Sequence, residues 1–385
     1  MKISSKMIVL ALIAMTGGAA YGSGRVDWAG RSAEDFTDGM KAYAAQDYKQ
    51  AMAIFEKSAV FGDAVAQFNL GSLYLNGQGA PQNYKTAVFW YGKAAAQENP
   101  DGQYGLGWMY ATGKGLEQDY KQAAYWYEKS ANQGNVEGQY GLGWLYLNGK
   151  GVTQDYKKAL SWFEKAAAQG QPEATFNLGS MYANGQGVLQ DYKKTVFWYQ
   201  RAAQQDNGDA QYGLGWIYAN GQGVKQDYKQ AVFWYLKAAE KGVAGAQFGL
   251  GRSYDNGQGV AQDYKQAAYW YEKAAIQGNA DAQINLGALY ENGQGVPLDF
   301  KQAVFWYEKA AVQGNRSAQF NLGELYANGQ GVSQNYVAAY MWLSLASARG
   351  ESAADRSRQN LKSKMTSEQI EEATKRAQDW TTRKG

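Results

Sequence analysis

Residues 66–95 read AQFNLGSLYLNGQGAPQNYKTAVFWYGKAA, and the rest of the chain repeats them. The glycine of the Leu70-Gly71 pair returns as Gly107, Gly143, Gly179, Gly215, Gly251, Gly287 and Gly323, always 36 residues on. A leucine precedes each (Leu70 through Leu322) and a tyrosine follows three residues later (Tyr74 through Tyr326). Trp90 and its equivalents as far as Trp342 keep the same register. A fixed period of this size is the mark of a repeat array. Eight units of 36 residues fill 63–350 and leave no room for a separate globular domain.

Each unit reads as two helices. In the first, Ala66, Leu70, Leu73 and Tyr74 fall at i, i+4, i+7 and i+8, one helical face. Asn99, Asn135, Asn207, Asn279 and Asn315 stand as N-caps, with Pro100 at the first helical position and Glu137 or Asp209 in the first turn. The helix ends at Asn76-Gly77 or Thr112-Gly113, where glycine supplies the left-handed stop. Asn83 or Asp119 then caps a second helix, and Gln122 and Gln230 complete approximate capping boxes with Asp119 and Asp227. Ala87, Trp90, Tyr91, Ala94 and Ala95 mark its buried face, and small Ala opposite large rings lets helices interlock. The repeated Gly77-Gln78-Gly79 is a helix stop. A phosphate loop needs a preceding strand, a Lys-Ser/Thr ending or a third glycine.

These units resemble Sel1-like repeats, relatives of the tetratricopeptide repeat with a longer loop between the helices. The resemblance covers 63–350, departing where Phe300 replaces the loop tyrosine and Leu343 the second aromatic. It implies an all-α right-handed solenoid. Residues 33–62 resemble one ordinary tetratricopeptide unit, because Gly39 to Ala51 spans 12 residues against 16 from Gly71 to Ala87. Residues 351–385 leave the repeat. There Thr366-Ser-Glu-Gln369 opens a charged helix running to about Trp380, a cap for the last apolar face. The tail MTSEQIEEA is itself similar to the ending of bacterial Sel1-like proteins.

The N-terminus carries an address. Lys2 and Lys6, the apolar stretch Met7–Met15 and the small residues Gly18-Ala19-Ala20 make a secretory signal cleaved near Ala20. Its nine apolar residues cannot span a bilayer, which takes about 20. The reading is thus a leader over 1–20, a segment 21–62, eight repeats over 63–350 and a cap over 351–385. The mature chain is expected in the periplasm or outside the cell.

Composition narrows the chemistry. The 385 residues include no Cys and no His, so disulfides, thiolate or histidine metal sites, lipidation at an N-terminal cysteine and Ser-His-Asp triads are all excluded. The 38 Lys plus Arg against 35 Asp plus Glu give no excess suited to nucleic acid. A cysteine-rich branch of the family has been linked to penicillin binding and lactam hydrolysis. Here the disulfides are missing and no Ser precedes a Lys by three residues, so the activity is not carried over. The expectation is a non-enzymatic chain with no metal and no cofactor.

The resemblance implies an adaptor whose partner is a protein or extended peptide. The alternative partner is a glycan, exopolysaccharide or peptidoglycan. The residue after Leu-Gly varies: Ser72, Trp108, Trp144, Ser180, Trp216, Arg252, Ala288, Glu324. No buried position takes Arg, Glu and Trp in turn, so it is expected to face solvent, on the side that is concave in tetratricopeptide relatives. Three residues earlier, Gly105, Gly141, Gly213 and Gly249 accompany Trp or Arg, and Asn69, Asn177, Asn285 and Asn321 the others. Since helical side chains lean back over the preceding turn, these glycines are expected to open space for the large group. Two readings stay open: a ligand track over Trp108, Trp144, Trp216, Arg252 and Glu324, or indoles that fill the superhelix.

If stability is a sum of unit and neighbour terms, deleting residues 207–242 leaves a shorter array with cooperative helical melting by circular dichroism. Deleting 351–385 should instead produce aggregation on size-exclusion chromatography. A soluble, equally stable tail deletion would remove the capping role.

Overall fold

The computed structural model describes residues 28–382, with side chains from residue 36 onward. The leader expected over Met1–Ala20 lies outside the described residues. Every element among the described residues is a helix, and the chain divides into two compact units, one through Gln190 and one from Asp191.

The first unit holds α1 (Trp28–Ala44), α2 (Tyr48–Val60), α3 (Ala64–Asn76), α4 (Tyr84–Ala96), α5 (Pro100–Thr112), α6 (Tyr120–Asn132), α7 (Val136–Asn148), α8 (Tyr156–Ala168) and α9 (Pro172–Asn184). The second holds α10 (Tyr192–Gln204), α11 (Gly208–Asn220), α12 (Tyr228–Glu240), α13 (Ala244–Asn256), α14 (Tyr264–Ile276), α15 (Ala280–Asn292), α16 (Phe300–Val312), α17 (Arg316–Asn328), α18 (Tyr336–Ala348), α19 (Ser352–Lys362) and α20 (Ser367–Thr382). Within each unit consecutive helices pack side by side, which makes each an all-α solenoid of helix pairs. First helices also touch the first helix of the next repeat, α3 to α5, α5 to α7, α11 to α13 and α13 to α15, and so form the inner row.

The capping chemistry is as the residue types require. Asn99, Asn135, Asn207 and Asn279 each accept the backbone N–H three residues on, and Asn315 accepts those of Ser317 and Ala318. Gly77 and Gly113 end their helices at φ 68°. Asp119 accepts from Lys121 and Gln122, with no reciprocal bond from the Gln122 side chain among the described residues. The full capping box forms at Thr366, whose Oγ1 accepts Gln369 N–H at 3.3 Å while Gln369 Oε1 accepts Thr366 N–H at 3.0 Å.

The second glycine of the loop does something else. A Cβ on Gly115 would lie 2.6 Å from the Tyr84 carbonyl oxygen, so the loop rests directly on the start of the preceding repeat's second helix. Only glycine permits both that approach and φ 76°.

Three contacts join the helices of a repeat and its neighbour. The Tyr91 ring is buried between Gly71 of its own repeat and Gly105 of the next, where added Cβ atoms would stand 2.8 and 3.0 Å from the ring. Gln67 Nε2 donates to the Ala59 carbonyl at the end of α2, and Gln97 Nε2 donates to Gln67 Oε1 at 2.8 Å. The same glutamine pair recurs as Gln133–Gln103, Gln169–Gln139, Gln277–Gln247 and Gln313–Gln283. Alanines at the end of each second helix (Ala95, Ala131, Ala167) are buried where the next helix crosses.

At the C-terminal end α19 and α20 cover the last repeat. Ala354, Leu361 and Ala373 pack with Ala339, Tyr340 and Leu343, and Trp380 meets Trp342 edge-on at 6.1 Å. The charged helix from Ser367 agrees with expectation. The sequence reading had not separated α19 from it.

The α7–α9 junction holds a titrating group. Burial first, then the charge of Glu173, push the Glu137 carboxyl up to about 7, against a hydrogen bond from Gln171 that lowers it. The folded state therefore keeps a proton that the unfolded chain has released above about 4.5. The associated stability is fully present below that value and lost as pH rises through about 7. Glu137→Gln should match the parent at pH 4 and exceed it at pH 8 by on the order of 2 kcal/mol. Urea denaturation at the two pH values measures this, and an equal difference at both would remove Glu137 as the cause.

Candidate functional site

The five candidate residues occupy one repeat position, and the structure gives them different environments. Trp108 and Trp144 lie in the first unit. Trp216, Arg252 and Glu324 lie in the second.

Trp108 is only 4% exposed, and Ser72 at the same position is also buried. The expectation that this position faces solvent is therefore corrected for both. Trp108 belongs to the core cluster with Leu75, Leu106 and Met109. Lys114, from the glycine loop of the same repeat, lies 5.0 Å above the indole centroid and 5.2 Å from that of Tyr84. Lysine stems cover apolar surface in this way. The buried indole N–H has no acceptor among the described residues. Trp144 is half-buried against the same cluster. Packing accounts for Trp108.

The glycines three residues earlier are also corrected. The atoms nearest an added Cβ at Gly105, Gly141, Gly213 and Gly249 belong to Tyr91, Tyr127, Tyr199 and Tyr235. These glycines accommodate the tyrosine of the preceding second helix, and not the indole or guanidinium one turn on. Where asparagine replaces glycine it can meet a tyrosine hydroxyl instead, as Asn285 does with Tyr271 and Asn321 with Tyr307.

The second unit is open. Trp216 on α11 is 41% exposed, and Arg252 on α13, the next inner helix, is also exposed. Together they line a cleft of about 200 Å³. Tyr235 forms its floor beneath Gly249, where a Cβ would stand 2.9 Å from the ring. Burial raises the Tyr235 hydroxyl well above its ordinary value, with Tyr212 adding to the rise and Arg252 opposing it, so the group stays a donor. The walls are held by side-chain amides that bond to backbone carbonyls. Asn220 Nδ2 donates to the Trp216 carbonyl at 2.8 Å, and Gln226 Nε2 donates to the Ala219 carbonyl at 2.7 Å. Arg252 makes no ion pair among the described residues and lies 5.9 Å from the Phe248 ring centroid.

Two acids on this face escaped the sequence reading. Tyr271 Oη donates to Asp255 Oδ2 at 3.0 Å, and Tyr307 Oη donates to Glu291 Oε2 at 2.6 Å. Burial and the adjacent carboxylate push both hydroxyls up, so both remain donors and hold the acids in place. The signal was present. Asp255 and Glu291 interrupt a position otherwise filled by Leu75, Ala111, Leu147, Ala183, Ala219 and Ala327. Glu324 on α17 is half-buried, one repeat beyond Glu291.

The Sel1 repeat model matches eight consecutive segments, 64–99, 100–135, 136–171, 172–207, 208–243, 244–279, 280–315 and 316–351. No curated protein sequence matches significantly. Among solved structures the chain is 31% identical to a Sel1 repeat protein from Oxalobacter formigenes, over 92% of this chain and 99% of that one, with a TM-score of 0.61. It is 33% identical to a protective antigen of uropathogenic Escherichia coli with an SLR fold, over 91% of this chain and 84% of that one, with a TM-score of 0.56.

The two environments predict opposite outcomes for one substitution. Trp108→Ser should lower stability by about 3–5 kcal/mol, the cost of emptying a buried indole site. Trp216→Ser should cost about 1 kcal/mol or less. Chemical denaturation of the two variants checks this, and equal losses would put Trp216 in the core as well.

Proposed function

The chain belongs to the Sel1 repeat family, whose members are generally protein–protein interaction scaffolds, and we propose that this one holds an extended protein partner along the inner helices of its second unit. The observation that carries this is the cleft between Trp216 and Arg252. It pairs an exposed indole with a guanidinium that has no ion pair among the described residues, at a position where the repeats diverge. A large aromatic beside a cation is the side-chain chemistry enriched where proteins bind proteins. Recognition without catalysis fits a chain that lacks His and Cys. Asp119, Asp227 and their equivalents are already engaged as helix caps. No described helix is long and apolar enough to cross a membrane. The basic, apolar and small-residue pattern of Met1–Ala20 supports export, so the place of action we propose is the periplasm or the cell exterior.

A glycan reading draws on the same exposed indole and on the amides of Asn220 and Gln226. Affinity capture from the envelope fraction, run beside a glycan array, separates the two. The parent chain should retain a protein that Trp216→Ser with Arg252→Gln loses at unchanged melting temperature. Binding confined to the glycan array would overturn the protein reading.

A further inference from the structure

We propose that the Trp216–Arg252 cleft reads an acidic residue of an extended peptide, and that Glu291 and Glu324 read basic residues farther along the same peptide. This rests on the inner-face reading above and names the chemistry that face selects.

At the position after Leu-Gly and the position three residues beyond it, the charges along the inner helices of the second unit are ordered, Arg252 first and then Asp255, Glu291 and Glu324. Arg252 stands in a cleft lined by the carboxamides of Asn220, Gln226 and Gln258, and among the described residues no carboxylate pairs with it. Asp255, three residues along the same helix, accepts the Tyr271 hydroxyl rather than the guanidinium. An incoming carboxylate therefore finds an unpaired planar donor set suited to bidentate contact. The exposed Trp216 indole beside it suits an apolar or aromatic side chain next to that acid. From there the row turns acidic, with Glu291 fixed on α15 and Glu324 on α17.

Spacing sets the register. Neighbouring inner helices stand about 10 Å apart, and an extended chain advances about 3.3 Å per residue. One repeat thus spans about three residues. A base suited to Glu291 falls about three residues from the acid, and one suited to Glu324 about six. The two signs also argue against an acidic polysaccharide. A uronate polymer that satisfied Arg252 would set its next carboxylates against Asp255, Glu291 and Glu324. A peptide carries both signs.

The test uses the full chain and fluorescein-labelled nine-residue peptides read by anisotropy. The two-signed peptide carries Phe-Glu followed by Lys three and six residues after the Glu. One control replaces that Glu by Gln, a second replaces both Lys by Glu, and oligogalacturonate serves as the uronate probe. The parent should bind the two-signed peptide at least tenfold more tightly than either control. Arg252→Gln should abolish the preference for Glu over Gln, and Glu291→Gln with Glu324→Gln the preference for Lys, both at unchanged melting temperature.

Equal binding of the two-signed peptide and its controls, binding by none of them, or tighter binding of oligogalacturonate overturns the inference. So does an unchanged Glu preference in Arg252→Gln. If envelope capture still depends on Trp216 and Arg252 in those cases, this inference alone has failed. If capture is independent of both residues, the inner-face reading has failed with it.

Discussion

The array depends on one contact, a tyrosine ring pressed against helices that carry no side chain where it lands. Tyr91 meets Gly71 of its own repeat and Gly105 of the next, and Tyr127 meets Gly107 and Gly141 in the same way. Each glycine inside a helix costs about 1 kcal/mol against alanine. The cost is offset because a fully buried aromatic removes a large apolar area from water and fixes the spacing of three helices at once. This explains why the Leu-Gly pair never drifts through eight repeats. Even at Leu343, where the ring is replaced, a Cβ on Gly323 would still stand 2.7 Å from the side chain.

A second constraint is polar. Bringing helix ends together buries backbone carbonyls, and an unpaired buried carbonyl costs free energy comparable to a lost hydrogen bond. A buried glutamine resolves this in the first helices that carry one; in α9 Thr175 takes its place and bonds to the Gln171 carbonyl. Gln67, Gln139, Gln247 and Gln283 each donate to a carbonyl ending the preceding second helix, and each accepts from the glutamine that caps its own repeat. Glutamine at a core register reads from sequence as an anomaly, and only the folded geometry supplies its reason.

Much of the fold was legible because its determinants are local. Spacing fixed the unit, the Asn and Asp caps fixed helix starts, and the Asn-Gly stops fixed helix ends. What was not legible depends on non-local neighbours. Trp108 and Trp216 share nearly the same flanking residues, yet one is buried and the other open. Part of the difference lies in the loop, where Lys114 reaches over the indole of Trp108 and the matching residue of the fifth repeat is Gln222. The glycines at Gly105 and Gly213 were assigned to the wrong ring because the tyrosine that needs them lies in another repeat. Asp255 and Glu291 read from sequence as ordinary surface acids, because the tyrosine hydroxyls that hold them come from the second helices 16 residues on.

Positions packed from two sides cannot vary without moving two repeats, so they stay constant. Positions facing one side can vary one repeat at a time, and that is where the chain stores difference. In the second unit the stored differences are not scattered. An exposed indole and an unpaired guanidinium share one cleft, and two carboxylates farther on are pinned by tyrosine hydroxyls that belong to the packing. Tyr271 and Tyr307 thus serve both sets of positions. Their rings fill the glycine site of their own repeat, and their hydroxyls hold the acids of the inner face. A scaffold that orients its recognition groups through its core rings does not need to order them when a partner arrives, and that ordering cost is one of the larger losses in binding an extended chain.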